Sequence, residues 1–507
     1  MKDQYLLEKA KALFPKLLET TAVPTETIEP IQEGQAVCAK SAPHYKERAL
    51  RNGEKVFLDF GNHLTGYLTI RMASEGAHPD APVWLKVRFA ERLDEFFEDA
   101  AAYQGWISKS WIQEEQIHID VLPAEYSFER RFAFRYVEIE VLDISSKFAL
   151  VITDAQCRAV SSADDDALLP YQAKEERFSQ LDRIAVRTLH ECMQRVFEDG
   201  PKRDRRLWMG DLRIEALANY ETYRQNNLVK QGLYLFAGDT LPDGQVSANM
   251  FIEPEIEADD VAMFDYSLFF VAALRDYVRQ TGDDEALRDL YKTAMRQIEL
   301  ASHRLNEEGV IADSDQLGWC FLDWNLNLNK QAGAHGVYLY ALKAAMELSE
   351  LYGDFEEQAR LEIELEERKR DAQRVLWDDE QGVFVSGAQR QISWASQCFL
   401  ILGDAVSREE GIQLLERMET RKDAEQMVTP YMYHHYVEAL LYLGMEEKAK
   451  QVLMQYWGSM AEQGADTFWE LYNPKAPSES PYGGTIVLSY CHAWSCAPAY
   501  FIRKYQW

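Results

Sequence analysis

Apolar side chains follow two different periods along this chain. Up to about residue 152 they alternate with polar ones, in short runs rich in β-branched and aromatic residues: Val56–Phe60, Leu68–Met72, Val83–Phe89, Gln116–Val121, Phe132–Ile139 and Phe148–Ile152. Period two places such residues on one face of a strand, and several short strands with polar turns predict an antiparallel β-sandwich. Residues 2–20 are expected as one leading helix. After an acidic linker, Ser161-Ser162-Ala163-Asp164-Asp165-Asp166, the period changes to 3.6. Helices are predicted over about 178–197, 211–229, 262–281, 284–305, 333–352, 355–376, 391–402, 407–419, 429–444, 446–460 and 482–503. They come in pairs, as an (α/α)6 barrel requires. A stack of helical repeats is the competing architecture, but no internal sequence period supports it. The expected plan is therefore multidomain β + α: residues 1–165 as the β-sandwich with its short leading helix, and 166–507 as the barrel.

A length of 507 residues calls for two or three domains. The formal net charge of −30 argues against nucleic acid or an anionic membrane as partner. No apolar run approaches the ~18 residues that cross a bilayer, and Met1-Lys2-Asp3-Gln4-Tyr5 does not open a signal peptide. Seven cysteines without a CxxC pair point to neither a disulfide framework nor a thiolate zinc cluster. A reduced, cytoplasmic enzyme is the simplest reading, with the oligomeric state open, a homodimer included.

Chemistry concentrates in a few connections. Glu198-Asp199-Gly200-Pro201-Lys202-Arg203-Asp204-Arg205-Arg206-Leu207-Trp208-Met209-Gly210-Asp211 packs three aspartates, four basic residues and a tryptophan between two helical stretches. Gly200 and Pro201 hold it out of a helix, whereas Asp211 suits the start of the next one. The charges there could simply neutralise one another; an exposed Trp208 instead suits stacking on the C–H face of a sugar. Asp466-Thr467-Phe468-Trp469-Glu470-Leu471-Tyr472 sets a carboxylate between aromatics, where lost solvation favours proton transfer, unless those aromatics only pack on a neighbouring helix. Gly318-Trp319-Cys320-Phe321-Leu322-Asp323-Trp324-Asn325 repeats the aromatic and acidic theme. Asp265 opens an apolar helix, as a cap or as a ligand, and His492 stands in a run that suits core packing as well as binding. His434-His435 beside Glu438 lacks the spacing of a metal motif, and no P-loop, G-x-G-x-x-G or G-x-S-x-G segment occurs, so neither metal nor cofactor is expected.

Taken together these segments resemble glycoside hydrolase family 78, the α-L-rhamnosidases. Asp199-Gly200-Pro201-Lys202-Arg203-Asp204-Arg205, continuing through Trp208 to Gly210-Asp211, is similar to the family's loop D-x-P-x-R-[DE]-R…W-x-G-D. Thr467-Phe468-Trp469-Glu470 resembles the motif with the second carboxylate, and His492-Ala493-Trp494 with Pro498 the histidine motif on the last barrel helix. Phe134–Glu138 and Asp59-Phe60-Gly61…Gly66-Tyr67 resemble parts of the family's sandwich. The resemblance implies an inverting exo-glycosidase that releases terminal L-rhamnose or a related sugar. In that scheme Asp204 is the general acid and Glu470 the general base, ~6.5–9.5 Å apart. Asp199, Arg203, Trp208, Asp211, Asp265, Asp323, Trp324, Trp469 and His492 form the substrate-binding set. Many relatives carry Glu as the acid, sometimes one place later, where this chain has Arg205. The trailing β-sandwich and extra modules of larger members are also missing, which suggests small glycosides. Two alternatives stand beside this reading: a sugar-binding protein of the same fold without catalysis, and a toroidal lyase or uronide hydrolase.

Overall fold

Alternation produces two sheet layers that share a strand. The computed structural model describes residues 1–34, 36–313, 317–475 and 480–507. The strands of the sheet domain are β1 (Leu18–Ala22), β2 (Glu26–Glu33), β3 (Ala36–Ser41), β4 (Ala49–Leu50), β5 (Lys55–Gly76), β6 (Val83–Ala90), β7 (Glu114–Ile119), β8 (Ala124–Ser127), β9 (Phe132–Asp143) and β10 (Phe148–Ser161). The first half of β5 pairs with β2 and β9, which leads on to β6 and β7; the second half pairs with β8 and β10, which leads on to β1. A register break between Asp59 and Leu64 lets one strand serve both layers, as corners of orthogonal sheets do. Leu58, Leu85 and Val137 from one layer meet Leu68, Ile70 and Leu150 from the other in a buried core. Strands β1 to β3 were absent from the predicted set because β1 and much of β2 are exposed and carry no apolar alternation.

The helices are α1 (Gln4–Ala12), α2 (Glu176–Cys192), α3 (Met209–Glu221), α4 (Asn226–Gly238), α5 (Phe264–Thr281), α6 (Asp284–Ser302), α7 (Gln331–Tyr352), α8 (Phe355–Val375), α9 (Trp394–Leu402), α10 (Arg408–Thr420), α11 (Pro430–Tyr442), α12 (Glu446–Glu462) and α13 (Ala497–Tyr505). Helices α3, α5, α7, α9 and α11 pack in sequence around an inner ring, and α13 packs on α3 to complete it. Each inner helix pairs with an outer one, and the sixth pair joins α13 to α2 from opposite ends of the domain. Arg503 on α13 grips Asp182 on α2 through two hydrogen bonds of 2.7 and 2.9 Å. Position in the ring follows from composition. Every residue of α3 from Met209 to Tyr220 is buried, whereas outer α8 buries only Leu361, Leu365 and Ala372.

Three predicted helices change. The stretch 211–229 is two helices, broken at Thr222–Gln225. The stretch 482–503 is mainly a loop, followed by a 3-10 turn (Ala493–Ser495) and α13. Its Gly483-Gly484 pair cannot support helix, and the buried apolar run after it fits several periods. The leading helix is short, and it docks through Leu6 and Leu7 on α4 and so packs with the helical domain, not with the sheets. Its apolar face needs a helical partner, and the sandwich core is already closed. Among the described residues no helix is long and apolar enough to cross a membrane.

Candidate active site

All inner helices start at the same end of the ring, so the loops that precede them crowd together there. They enclose a cavity of about 250 Å3, with Asp199, Arg203, Asp204, Trp208, Asp211, Trp324, Glu470 and His492 in its wall. Eight of the eleven residues singled out from sequence thus meet in one place.

The loop ahead of α3 is shaped by its own side chains. Asp199 turns back across it, and its carboxylate oxygens accept from the N–H of Asp204 at 3.2 Å and of Arg206 at 3.1 Å. Gly200 is required: a Cβ there would lie 2.6 Å from the Arg203 carbonyl and 2.8 Å from Ser489 Oγ. Asp204 is left half-buried at the cavity, its Oδ1 3.6 Å from Arg203 Nη1. The same guanidinium reaches Glu470: its Nη2 donates to Glu470 Oε2 at 2.6 Å and its Nε to the Val487 carbonyl at 2.7 Å. Glu470 also accepts from the Tyr482 hydroxyl and from Ser489 N–H. One buried arginine therefore separates and orients the two carboxylates, and burial does not cost it its charge: the Glu470 and Tyr482 neighbours hold its pKa above the ordinary guanidinium value against the opposing pull of desolvation.

Behind them lies a set of polar groups that carry little charge. Burial, reinforced by Asp204, pushes the Asp199 carboxyl well above its usual range, and burial together with Asp199 does the same to Asp211. Burial and the Arg203 charge hold His492 well below the usual imidazole value. His492 Nε2 lies 3.9 Å from Asp199 and its Nδ1 3.7 Å from Asp211, beyond hydrogen-bond reach. Trp208 Nε1, Asp211 Oδ1 and His492 Nδ1 are buried without a protein partner. Buried polar atoms are normally paired, so three orphans on one cavity wall leave hydrogen-bonding capacity that a ligand with hydroxyl groups could take up. Neutral donors and acceptors suit a neutral polyol better than an anion.

Three of the expected ligands stand elsewhere. Asp265 accepts from the N–H groups of Phe321 and Leu322 at 2.9 and 2.8 Å. Asp323 accepts from Val428 N–H, from Thr429 N–H and hydroxyl, and from Trp324 N–H, and burial raises its pKa to about 6. Both carboxylates satisfy loop amides that have no helix or strand to pair with. Trp469 faces the sheet domain, its ring 4.2 Å from the Arg92 guanidinium.

The structure also adds wall residues that sequence reading passed over: Tyr482, Arg206, Asp259, and Trp106 with Ile107 from the sheet domain. Pro481-Tyr482-Gly483-Gly484 is a turn signal that the helical reading of 482–503 hid. Trp106 and Trp319 rim the cavity and are 67% and 51% exposed. His434, His435 and Glu438 do converge, with donor atoms within 4.8 Å of one another, but Arg213 already pairs with Glu438 at 2.7 Å.

Residues 24–159 match the model of the glycosyl hydrolase family 78 alpha-rhamnosidase N-terminal domain. Residues 171–505 match that of the bacterial alpha-L-rhamnosidase 6 hairpin glycosidase domain. Among solved structures, a rhamnosidase from Klebsiella oxytoca with rhamnose bound is 44% identical, with a TM-score of 0.97 over 100% of this chain and 99% of that one. The family 78 rhamnosidase of Bacillus sp. GL1 is 20% identical with a TM-score of 0.76, over 92% of this chain and 49% of that one. The Streptomyces avermitilis alpha-L-rhamnosidase complexed with L-rhamnose is 15% identical with a TM-score of 0.67, over 97% and 44%. The last two show a shared fold with proteins about twice as long. A comparison with curated proteins found no match.

Proposed function

This chain belongs to glycoside hydrolase family 78, and from that premise we propose that it is an inverting exo-α-L-rhamnosidase acting on small glycosides. The observation that carries the reading is the Asp204–Arg203–Glu470 bridge in the wall of a cavity with unpartnered polar atoms. At about 250 Å3 that cavity is smaller than the ~300–1,000 Å3 of drug-sized sites, which favours one terminal sugar. Asp204 donates its proton to the glycosidic oxygen as the bond breaks. Glu470 takes a proton from water attacking the opposite face of the anomeric carbon. The Arg203 guanidinium, in contact with both carboxylates, keeps them from approaching each other directly, which supports the wide separation that inversion uses. Asp199, Asp211 and His492 hold the sugar hydroxyls, and Trp208 and Trp324 wall the ring. The exposed rim of Trp106 and Trp319 receives the leaving group.

The test is hydrolysis of an aryl α-L-rhamnoside by wild type, Asp204→Asn and Glu470→Gln, with the first-formed anomer read by proton NMR. Each variant is expected to lose ~10²–10⁴-fold in rate, the range of general acid–base catalysis, and wild type to release the β anomer first. Wild-type rates in both variants, or initial release of the α anomer, would overturn the assignment.

A further inference from the structure

Between β6 and β7 the sheet domain sends out a segment, residues 91–106, that touches Tyr482 and the neighbours of the other residues that hold Glu470. Glu91 accepts from Tyr490 N–H at 2.7 Å. Glu98 accepts from the Thr485 hydroxyl and, at 3.0 Å, from Ile486 N–H. Tyr103 donates its hydroxyl proton to the Tyr482 carbonyl at 2.7 Å, and Trp106 Nε1 donates to the Pro481 carbonyl at 2.9 Å. Lys202, fully buried beside Arg203, ends 2.5 Å from Glu95 and 3.5 Å from Glu91. The fit is tight: a Cβ on Gly105 would lie 1.8 Å from the Tyr482 carbonyl oxygen, and one on Gly483 2.8 Å from Gly105 Cα.

The residues gripped in this way are neighbours of those that hold the carboxylate. Tyr482 and Ser489 both donate to Glu470, Glu470 N–H donates to the Ser489 carbonyl at 3.0 Å, and Arg203 forms the ion pair. The strap 481–490 lies outside any helix or strand, so its own backbone does not dictate its shape. Contacts from outside must do so: within the helical domain Arg203 holds the Val487 carbonyl and Thr467 the Tyr490 carbonyl, while the 481–486 end and Tyr490 N–H are held from 91–106.

We propose that residues 91–106 of the N-terminal domain are the positioning element of the general base, with Tyr103 and Glu98 acting on Glu470 through the 481–490 strap. The sheet domain is then a working part of the catalytic centre and not an accessory module. This inference rests on the assignment of Glu470 as the base.

The experiment uses the full chain carrying Tyr103→Phe or Glu98→Gln, each alone and combined with Glu470→Gln. An aryl α-L-rhamnoside is the substrate, and L-rhamnose binding is followed by calorimetry. Each single variant is expected to lower kcat about tenfold, the scale of a small misplacement of a reacting group, with KM within twofold and rhamnose affinity kept. In the Glu470→Gln background neither change should lower the residual rate further, because the group being positioned is already gone. Unchanged kcat in both single variants overturns the proposal, as does an equal tenfold loss in the Glu470→Gln background. A rise in KM with loss of rhamnose binding also overturns it, since that marks general disruption. Wild-type activity in Glu470→Gln alone instead refutes the base assignment and takes the proposal down with it.

Discussion

Replacing Asp211 by asparagine should make the protein more stable at neutral pH and less active. Asp211 is 2% exposed and its Oδ1 has no partner. Burial first, and the nearby Asp199 second, hold its carboxyl well above the usual range, so the folded chain keeps a proton that the unfolded chain releases near pH ~3.9. The sign follows from linkage. Below pH ~3.9 both states are protonated and the group costs nothing; as pH rises, only the unfolded state ionises and folding loses ~1.4 kcal/mol per unit until the folded pKa is passed. The ceiling on that cost is about 4 kcal/mol at pH 7 and under about 1 kcal/mol at pH 4.5. Asparagine keeps the shape and never titrates. Asp211→Asn is therefore expected to raise Tm by several degrees at pH 7, with the gain mostly gone at pH 4.5. The same change weakens hydrogen bonds between a neutral carboxyl and the sugar, worth ~0.5–1.5 kcal/mol or roughly 2- to 10-fold in kcat/KM. Scanning calorimetry at the two pH values and aryl rhamnoside kinetics measure both effects. A lower Tm at pH 7, or the same gain at both pH values, would refute the reasoning.

Asp323→Asn should act in the opposite sense, because an amide repels part of the donor set that converges on the carboxylate. A loss of about 1–3 kcal/mol is expected, read as a lower midpoint in urea unfolding, and an unchanged midpoint would contradict it. Trp106→Ala and Trp319→Ala should each cut kcat/KM about 2- to 10-fold for an aryl rhamnoside while sparing methyl α-L-rhamnoside, as expected for lost stacking on the leaving group. Equal losses on both substrates would place those rings against the sugar instead.

The loop ahead of α3 was legible as part of the cavity wall because its identity is local: Asp199, Gly200, Pro201, Asp204 and Asp211 lie within one connection, and the constraints that shape it act over a few residues. The same holds for the strands of the sandwich core and for the outer helices, where one face meets water and the period shows. Inner helices such as α3 are apolar all round, so their ends blur, and the break at Thr222–Gln225 left no mark in the pattern. Asp265 and Asp323 illustrate a different limit. An acidic residue among aromatics reads the same whether it faces a ligand or backbone amides, and only the fold places Phe321 and Leu322 N–H in front of Asp265. Tyr482 and Trp106 were hidden because they act across a contact between residues far apart in the chain.

The Arg503–Asp182 clasp has a consequence for how the molecule is made. The two residues are 321 positions apart, so at ~5–20 residues per second the ribosome needs roughly 15–60 s after delivering α2 before its partner helix exists. Throughout that interval the nascent toroid is an open crescent, with an apolar edge on α3 waiting for α13. A circularly permuted gene that begins at α13 and passes through the sheet domain into α2 would deliver α13 before α2 and bring the two clasp residues closer in sequence, shortening the time the crescent is exposed to aggregation.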